Sequence, residues 1–213
     1  MHVHPVYRLV CFAAKMMFRE LFDGDIYGNE LIPTTGPCLL ACNHASYFDP
    51  PFIGSAVHNR EVFSMAKSEL FRTPFRNWLF CNMNCVPVHR GTGDIGAIKS
   101  ALRLLQDGKC VMIFPEGTRS EDGTAQRAQA GVGMLACKTE VPVVPCHIMG
   151  TFEIMKKHSK GFDWNRKATI IFGQPLLPEE YKVGEKKELY QNAASIIMER
   201  VYSLRPQVTR DVY

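Results

Sequence analysis

No run of about 18 uncharged apolar residues occurs in the chain, and a bilayer-spanning helix needs that length. The one candidate, near the N-terminus, is broken up by Arg8, Lys15, Arg19 and Glu20. The same charges, with no small-residue cleavage site after them, argue against a secretory signal. There is no linker, low-complexity tract or internal repeat, so 213 residues make one sizeable core, or one domain with a small appendage. The net charge is only +4. That suits an anionic membrane surface or phosphate-bearing substrates and is too slight to argue for nucleic acid. A Gly-x-Ser-x-Gly nucleophile elbow is missing. Cys81 and Cys85 with His89 form half of a metal site, but no second pair stands at metal-site spacing, so no metal is expected. The eight cysteines mostly sit inside apolar runs, where a thiol behaves as a small hydrophobe, and this points to a reducing compartment.

What is present is an ordinary globular composition, with 46% hydrophobic and 22% charged residues, which excludes disorder as the main state. Val6 to Phe22 has a broad apolar face with a basic edge and predicts an amphipathic helix, ended by the turn signal Asp23-Gly24-Asp25. Such a helix packs on its own domain or lies in a membrane interface. Short apolar runs predict strands near 26–28, 38–42, 61–66, 85–88, 110–114, 141–149 and 168–172. Pro142 and Pro145 argue that the 141–149 strand lies at an edge or that proline is its first residue. Ile95, Ile98, Ala101, Leu102 and Leu105 mark a helix over 94–107 that Gly108 stops. Further helices are expected over 125–139 and 184–204. The aromatic stretch Phe71, Phe75, Trp78, Leu79 and Phe80 suits core packing or the wall of a long apolar slot. Lys156, Lys157, His158, Lys160, Arg166 and Lys167, interleaved with Phe162 and Trp164, form a basic loop: a solvated face or a second membrane contact.

Two polar runs stand out against this background, Asn43-His44-Ala45-Ser46-Tyr47-Phe48-Asp49 and Phe114-Pro115-Glu116-Gly117-Thr118-Arg119-Ser120. Each directly follows a strand, and in open α/β sheets the carboxyl ends of strands are where ligands bind. The repeated order of strand, site loop and helix implies a sheet with both loops on one edge. In the first run His44 can accept a proton near neutral pH and Asp49 can hold its ring. Asp49 also precedes Pro50 and Pro51, so it can equally cap a helix through Phe52 to Val57. In the second run Glu116 offers an acceptor for a hydroxyl and Arg119 a guanidinium for a phosphate, while Gly117 allows close backbone approach.

With a His, four residues and an Asp, followed later by Phe-Pro-Glu-Gly-Thr-Arg-Ser, the chain resembles the glycerolipid acyltransferases of the lysophosphatidate (1-acylglycerol-3-phosphate) acyltransferase type, over roughly residues 28–145. The resemblance implies an α/β fold, with a mixed, mostly parallel central sheet and helices packed around it. It places an amphipathic, membrane-associating helical segment at 1–25 ahead of an acyltransferase domain at 26–213. It implies a membrane-associated enzyme on the cytoplasmic face that moves a fatty acyl group to the sn-2 hydroxyl of lysophosphatidate, forming phosphatidate. Acyl-CoA or acyl-ACP would be co-substrate, and there would be no other cofactor. His44 and Asp49 would be catalytic; Glu116, Gly117, Thr118 and Arg119 would bind substrate, together with Arg90, which falls where the family places a phosphate-associated arginine. The 141–149 strand would border the acyl pocket. The chain departs from the family in 126–130, where Gln126, Arg127, Ala128, Gln129 and Ala130 replace the usual lysines. Glycerol 3-phosphate or another lysophospholipid as acceptor, and a non-catalytic lipid-binding module, remain as alternatives.

Overall fold

The strand Cys38–Cys42 (β2) is buried along its whole length, because its side chains alternate between two covered faces of one sheet. Cys38, Leu40 and Cys42 point to one apolar cluster, Leu39 and Ala41 to the other. The computed structural model describes residues 4–57, 60–88, 95–159 and 161–205. Within them the chain opens with helix α1 (Pro5–Met16), continued by a wider turn over Met17–Leu21. Then follow β1 (Asp25–Tyr27), β2, α2 (Asp49–Ala56), β3 (Val62–Lys67), α3 (Pro74–Asn82), β4 (Cys85–Val88) and α4 (Ile95–Gln106). The second half holds β5 (Cys110–Ile113), α5 (Ala130–Thr139), β6 (Val143–Met149), α6 (Thr151–Ile154), β7 (Thr169–Phe172), α7 (Pro178–Tyr181) and α8 (Leu189–Ser203).

The seven strands form one sheet in the order β1-β7-β6-β2-β5-β3-β4. The five from β6 to β4 run parallel, β7 is antiparallel to β6, and β1 runs parallel to β7. The expected mixed, mostly parallel sheet with helices around it is what the chain forms. One face is covered by the segment that continues α1, through Phe18 and Phe22, and by α2, through Phe52 and Ile53. The other is covered by α4, α5 and α8 through Leu105, Leu135, Ala194 and Ile197.

The segment ahead of β1 shares the core: Phe18 and Phe22 are buried against sheet residues, and Val62 N–H donates to Tyr7 Oη at 2.9 Å. The α1 side chains Leu9, Phe12 and Met16 face outward and are exposed.

Two expectations are corrected. β6 lies between β2 and β7, not at an edge. Proline is tolerated there because Pro145 stands opposite Gly173, one residue past the end of β7, where only the last rung is lost; Gly173 N–H still donates to the Pro145 carbonyl at 2.9 Å. Helix α5 starts at Ala130, not near 125. The residues before it are drawn to the loop after β5, with Gln129 N–H donating to the Pro115 carbonyl at 2.8 Å, so that backbone is used outside a helix.

Candidate active site

β2 and β5 are neighbours in the sheet, yet the chain leaves them in opposite directions. After β2 it passes through α2 on one face to reach β3, and after β5 through α5 on the other face to reach β6. The carboxyl ends of β2 and β5 therefore flank a switch-point crevice, and the two polar runs hang from those ends.

His44 Nδ1 lies 2.9 Å from Asp49 Oδ2. The same oxygen accepts the backbone N–H groups of Ala45 and Ser46, both at 2.7 Å. A carboxylate only accepts, so Nδ1 carries the hydrogen, and in the neutral ring the lone pair is left on Nε2. Asp49 is the first residue of α2, and its carboxylate turns back onto the preceding loop. It does not cap the helix forward, as the Asp-Pro-Pro spacing suggested: the loop's own amides are aimed at it and are otherwise unpaired in a buried place. The His44 ring also stacks on Phe114, centroids 4.0 Å apart and planes 21° from parallel. Between carboxylate and phenyl ring, the imidazole has one orientation.

The second run is tied to the first by backbone. Ser120 N–H donates to the His44 carbonyl at 2.8 Å, and His44 N–H to Glu116 Oε1 at 3.4 Å. Gly117 makes the turn with φ +73°, where a side chain would be strained. Glu116 is buried and its pKa is pushed up to about 7, chiefly through desolvation; the hydrogen bonds from Tyr202 and from His44 N–H offset part of that, and the charge of Asp49 adds to it. Its second oxygen, Oε2, has no hydrogen-bond partner among the described residues, nor has Arg119 Nη1. The Arg119 guanidinium rests 3.6 Å over the ring of Tyr47, so it is held by a cation–π contact that a substrate anion can replace. Thr118 Oγ1 lies 3.4 Å from Lys157 Nζ.

Thus His44, Asp49, Glu116, Gly117, Thr118 and Arg119 come together at one sheet edge, and Arg90 lies outside the described residues. Three contributors went unrecognised in the sequence. Tyr202 on α8 donates its hydroxyl to Glu116 Oε1 at 2.8 Å. Lys157 reaches into the turn, bonding the Arg119 carbonyl at 3.3 Å and pairing with Glu121. The Asn43 amide bridges β2 to β6, accepting from Ile148 N–H at 2.8 Å and donating to its carbonyl at 2.9 Å. Asn43 left a signal as a polar residue ending an apolar strand, and Lys157 as a member of the basic loop; Tyr202 left none.

Two cavities are bordered by Phe114, the ring on which His44 stacks, and His44 itself lines neither. One of about 590 Å³ is walled by β5, the turn at Glu116–Thr118 and α5. The other, about 310 Å³ and largely apolar, lies on the α1 and α2 side; Met65, Met112 and Phe114 border both. β6 borders neither. It lines a polar cavity of about 110 Å³ behind the loop, together with His44, Glu116 and Tyr202. Cys42, beside the motif, is fully buried and its thiol is pushed well up by desolvation, which removes it as a nucleophile.

The sequence profile of the acyltransferase family matches residues 24–149. A chloroplastic 1-acyl-sn-glycerol-3-phosphate acyltransferase of Brassica napus is 32% identical over 166 residues, 76% of this chain and 48% of that protein. A second chloroplastic one, from Arabidopsis thaliana, is also 32% identical over 166 residues and is covered to 46%, so the chain spans about half the length of these relatives. A Bacillus subtilis 1-acyl-sn-glycerol-3-phosphate acyltransferase is 26% identical over 200 residues, 93% of this chain and 96% of that one. The crystal structure of the 1-acyl-sn-glycerophosphate (LPA) acyltransferase PlsC from Thermotoga maritima superposes with a TM-score of 0.76 at 28% identity, covering 93% of this chain and 79% of that one. With the sheet, the crevice and both motif runs in place, the chain belongs to the acyltransferase family.

Proposed function

We propose that the protein is an O-acyltransferase that transfers a fatty acyl group from a thioester, acyl-CoA or acyl-ACP, to the sn-2 hydroxyl of 1-acylglycerol 3-phosphate, giving phosphatidate. The observation that carries this reading is the 2.9 Å contact of His44 with Asp49, on a loop bonded directly to the turn bearing Glu116 and Arg119. The acceptor hydroxyl gives its proton to His44 Nε2 as its oxygen attacks the thioester carbonyl. The C–S bond then breaks, and the imidazolium returns the proton to the departing thiolate. Asp49 keeps the imidazole in the required tautomer and stabilises its charged form, so no covalent enzyme intermediate is needed.

In this reading Arg119 leaves Tyr47 to grip the acceptor phosphate, with Arg90 alongside, and Glu116 holds a glycerol hydroxyl. Lys157, beside Thr118, stands in for the lysines that 126–130 lacks, where Arg127 is exposed. The fatty chain occupies the apolar cavity of about 310 Å³. Residues 1–25 contact the membrane through Leu9, Phe12 and Met16, on its cytoplasmic face, and 26–213 carry the chemistry. No helix among the described residues is long and apolar enough to cross a bilayer, which fits a segment lying in the interface.

The test is an assay of purified protein in detergent with acyl-CoA and acyl-ACP against lysophosphatidate, glycerol 3-phosphate and other lysophospholipids. Phosphatidate formation supports the assignment, and turnover only with another acceptor moves it to that substrate. Binding of lysophosphatidate with no turnover from either carrier would leave a lipid-binding module in its place.

A further inference from the structure

One surface helix takes no part in the proposed chemistry. α3 has no buried residue along its nine, whereas a helix of a water-soluble domain hides an apolar stripe. Its Phe75 and Trp78 are 69% and 51% exposed, and the two rings stack on each other at 6.2 Å. Arg72 and Arg76 are exposed, and from Leu70 to Gly93 the sequence has no Asp or Glu. α3 touches α1, which exposes Leu9, Phe12 and Met16 beside the exposed Arg8 and Arg19. The apolar cavity of about 310 Å³ lies between the two, lined by Tyr7, Val10 and Cys11 from α1 and by Leu70, Phe80 and Met83 from α3 and its flanks.

We infer that α3 is a second membrane anchor, seated with Phe75 and Trp78 at the headgroup level of an anionic bilayer. The slot between α1 and α3 then opens the apolar cavity to the lipid, and a fatty chain passes into it without crossing water. This rests on the membrane association proposed above. The occupant is argued from charge and from continuity. The helix and the segment after it carry cations and no acids up to Asp94, which complements anionic lipid; aromatic rings beside arginines suit the membrane interface; and the cavity behind them takes the kind of chain the bilayer holds.

The chain has two tryptophans, Trp78 and Trp164, so Trp164→Phe leaves Trp78 as the sole indole reporter. This variant is mixed with vesicles of phosphatidylcholine and phosphatidylglycerol, with and without brominated acyl chains. Trp78 emission is expected to shift to the blue and to be quenched about twofold or more, as for an indole at the interface. In the otherwise unaltered chain, Phe75→Ser with Trp78→Ser should weaken vesicle binding by about tenfold or more with an unchanged circular dichroism spectrum, since neither ring is part of the core. Co-sedimentation with vesicles while Trp78 stays unquenched would overturn the second anchor and leave the first intact. No co-sedimentation at all would remove membrane association itself, and the anchor with it. A dimer in lipid-free solution that the double variant abolishes would mean that a second copy, not a bilayer, covers the pair.

Discussion

Asp49 Oδ2 collects one imidazole and two backbone N–H groups, and this gives His44 and Asp49 different fates on mutation. His44→Ala removes the base and leaves both backbone bonds to Asp49 in place. Transfer should fall by at least about 10²-fold with little change in melting temperature, and near wild-type turnover would remove the mechanism. Asp49→Ala should abolish transfer and also destabilise, by about 1–3 kcal/mol for each buried amide left unpaired; unfolding in urea measures it. Arg119→Lys should raise the acceptor KM with little effect on kcat, because an ammonium cannot reproduce a bidentate grip. Glu116 supplies the pH dependence. Burial lifts its carboxyl from the ordinary 4.5 to about 7, so the folded chain holds this proton more tightly than the unfolded chain does. Its contribution to stability is therefore full below 4.5 and is lost as pH rises through about 7, above which it no longer changes. Glu116→Gln has no charge to bury and should gain on the wild type across that window, on the order of 1–3 kcal/mol, while losing activity. An advantage that shrinks with rising pH would contradict this. Tyr202→Phe removes a hydrogen bond that stabilises the Glu116 carboxylate and holds its pKa down, so the acidic limb of kcat/KM should move to higher pH. A purely structural loss would lower the rate and leave that limb in place.

Among the elements, the packing of α5 on α8 sets the tightest constraint. A Cβ at Gly133 would come within 1.9 Å of the Tyr190 carbonyl oxygen; the two backbones touch because nothing stands between them. Gly133→Ala must push the helices apart and should cost about 1–3 kcal/mol or more, although alanine is the better helix former. Gly96 in α4 has nothing within 4 Å of its would-be Cβ, and there the same change should stabilise by about 0.4–1 kcal/mol. Thermal unfolding of the two variants should shift in opposite directions. The comparison separates helix propensity, which sequence reports, from helix packing, which it does not.

At the scale of the molecule, the segment ahead of β1 has two roles that a boundary at residue 25 would divide. Its outward residues Leu9, Phe12 and Met16 are free to meet lipid, while Phe18 and Phe22, 0% and 1% exposed, complete the core on the α2 side of the sheet. Phe18→Ala should cost about 3–5 kcal/mol. Removing residues 1–24 should leave a chain without a cooperative melting transition; a well-folded, soluble remainder would show that the segment is only an anchor. The sequence by itself determined what depends on near neighbours: the all-apolar β2 and β5, the 3.6-residue period of α4, the glycine turn at 117 and the two polar runs at strand ends. Such features follow from local sterics and from side-chain periodicity, which a window of ten residues contains. Only the tertiary structure decided that β2 and β5 are neighbours, that Pro145 sits in a central strand, and that Tyr202 reaches Glu116 across 86 residues of chain. Those outcomes arise from how crossovers stack strands and helices, so the partner that holds Glu116, and with it the acidity of the site, has no signature near residue 116.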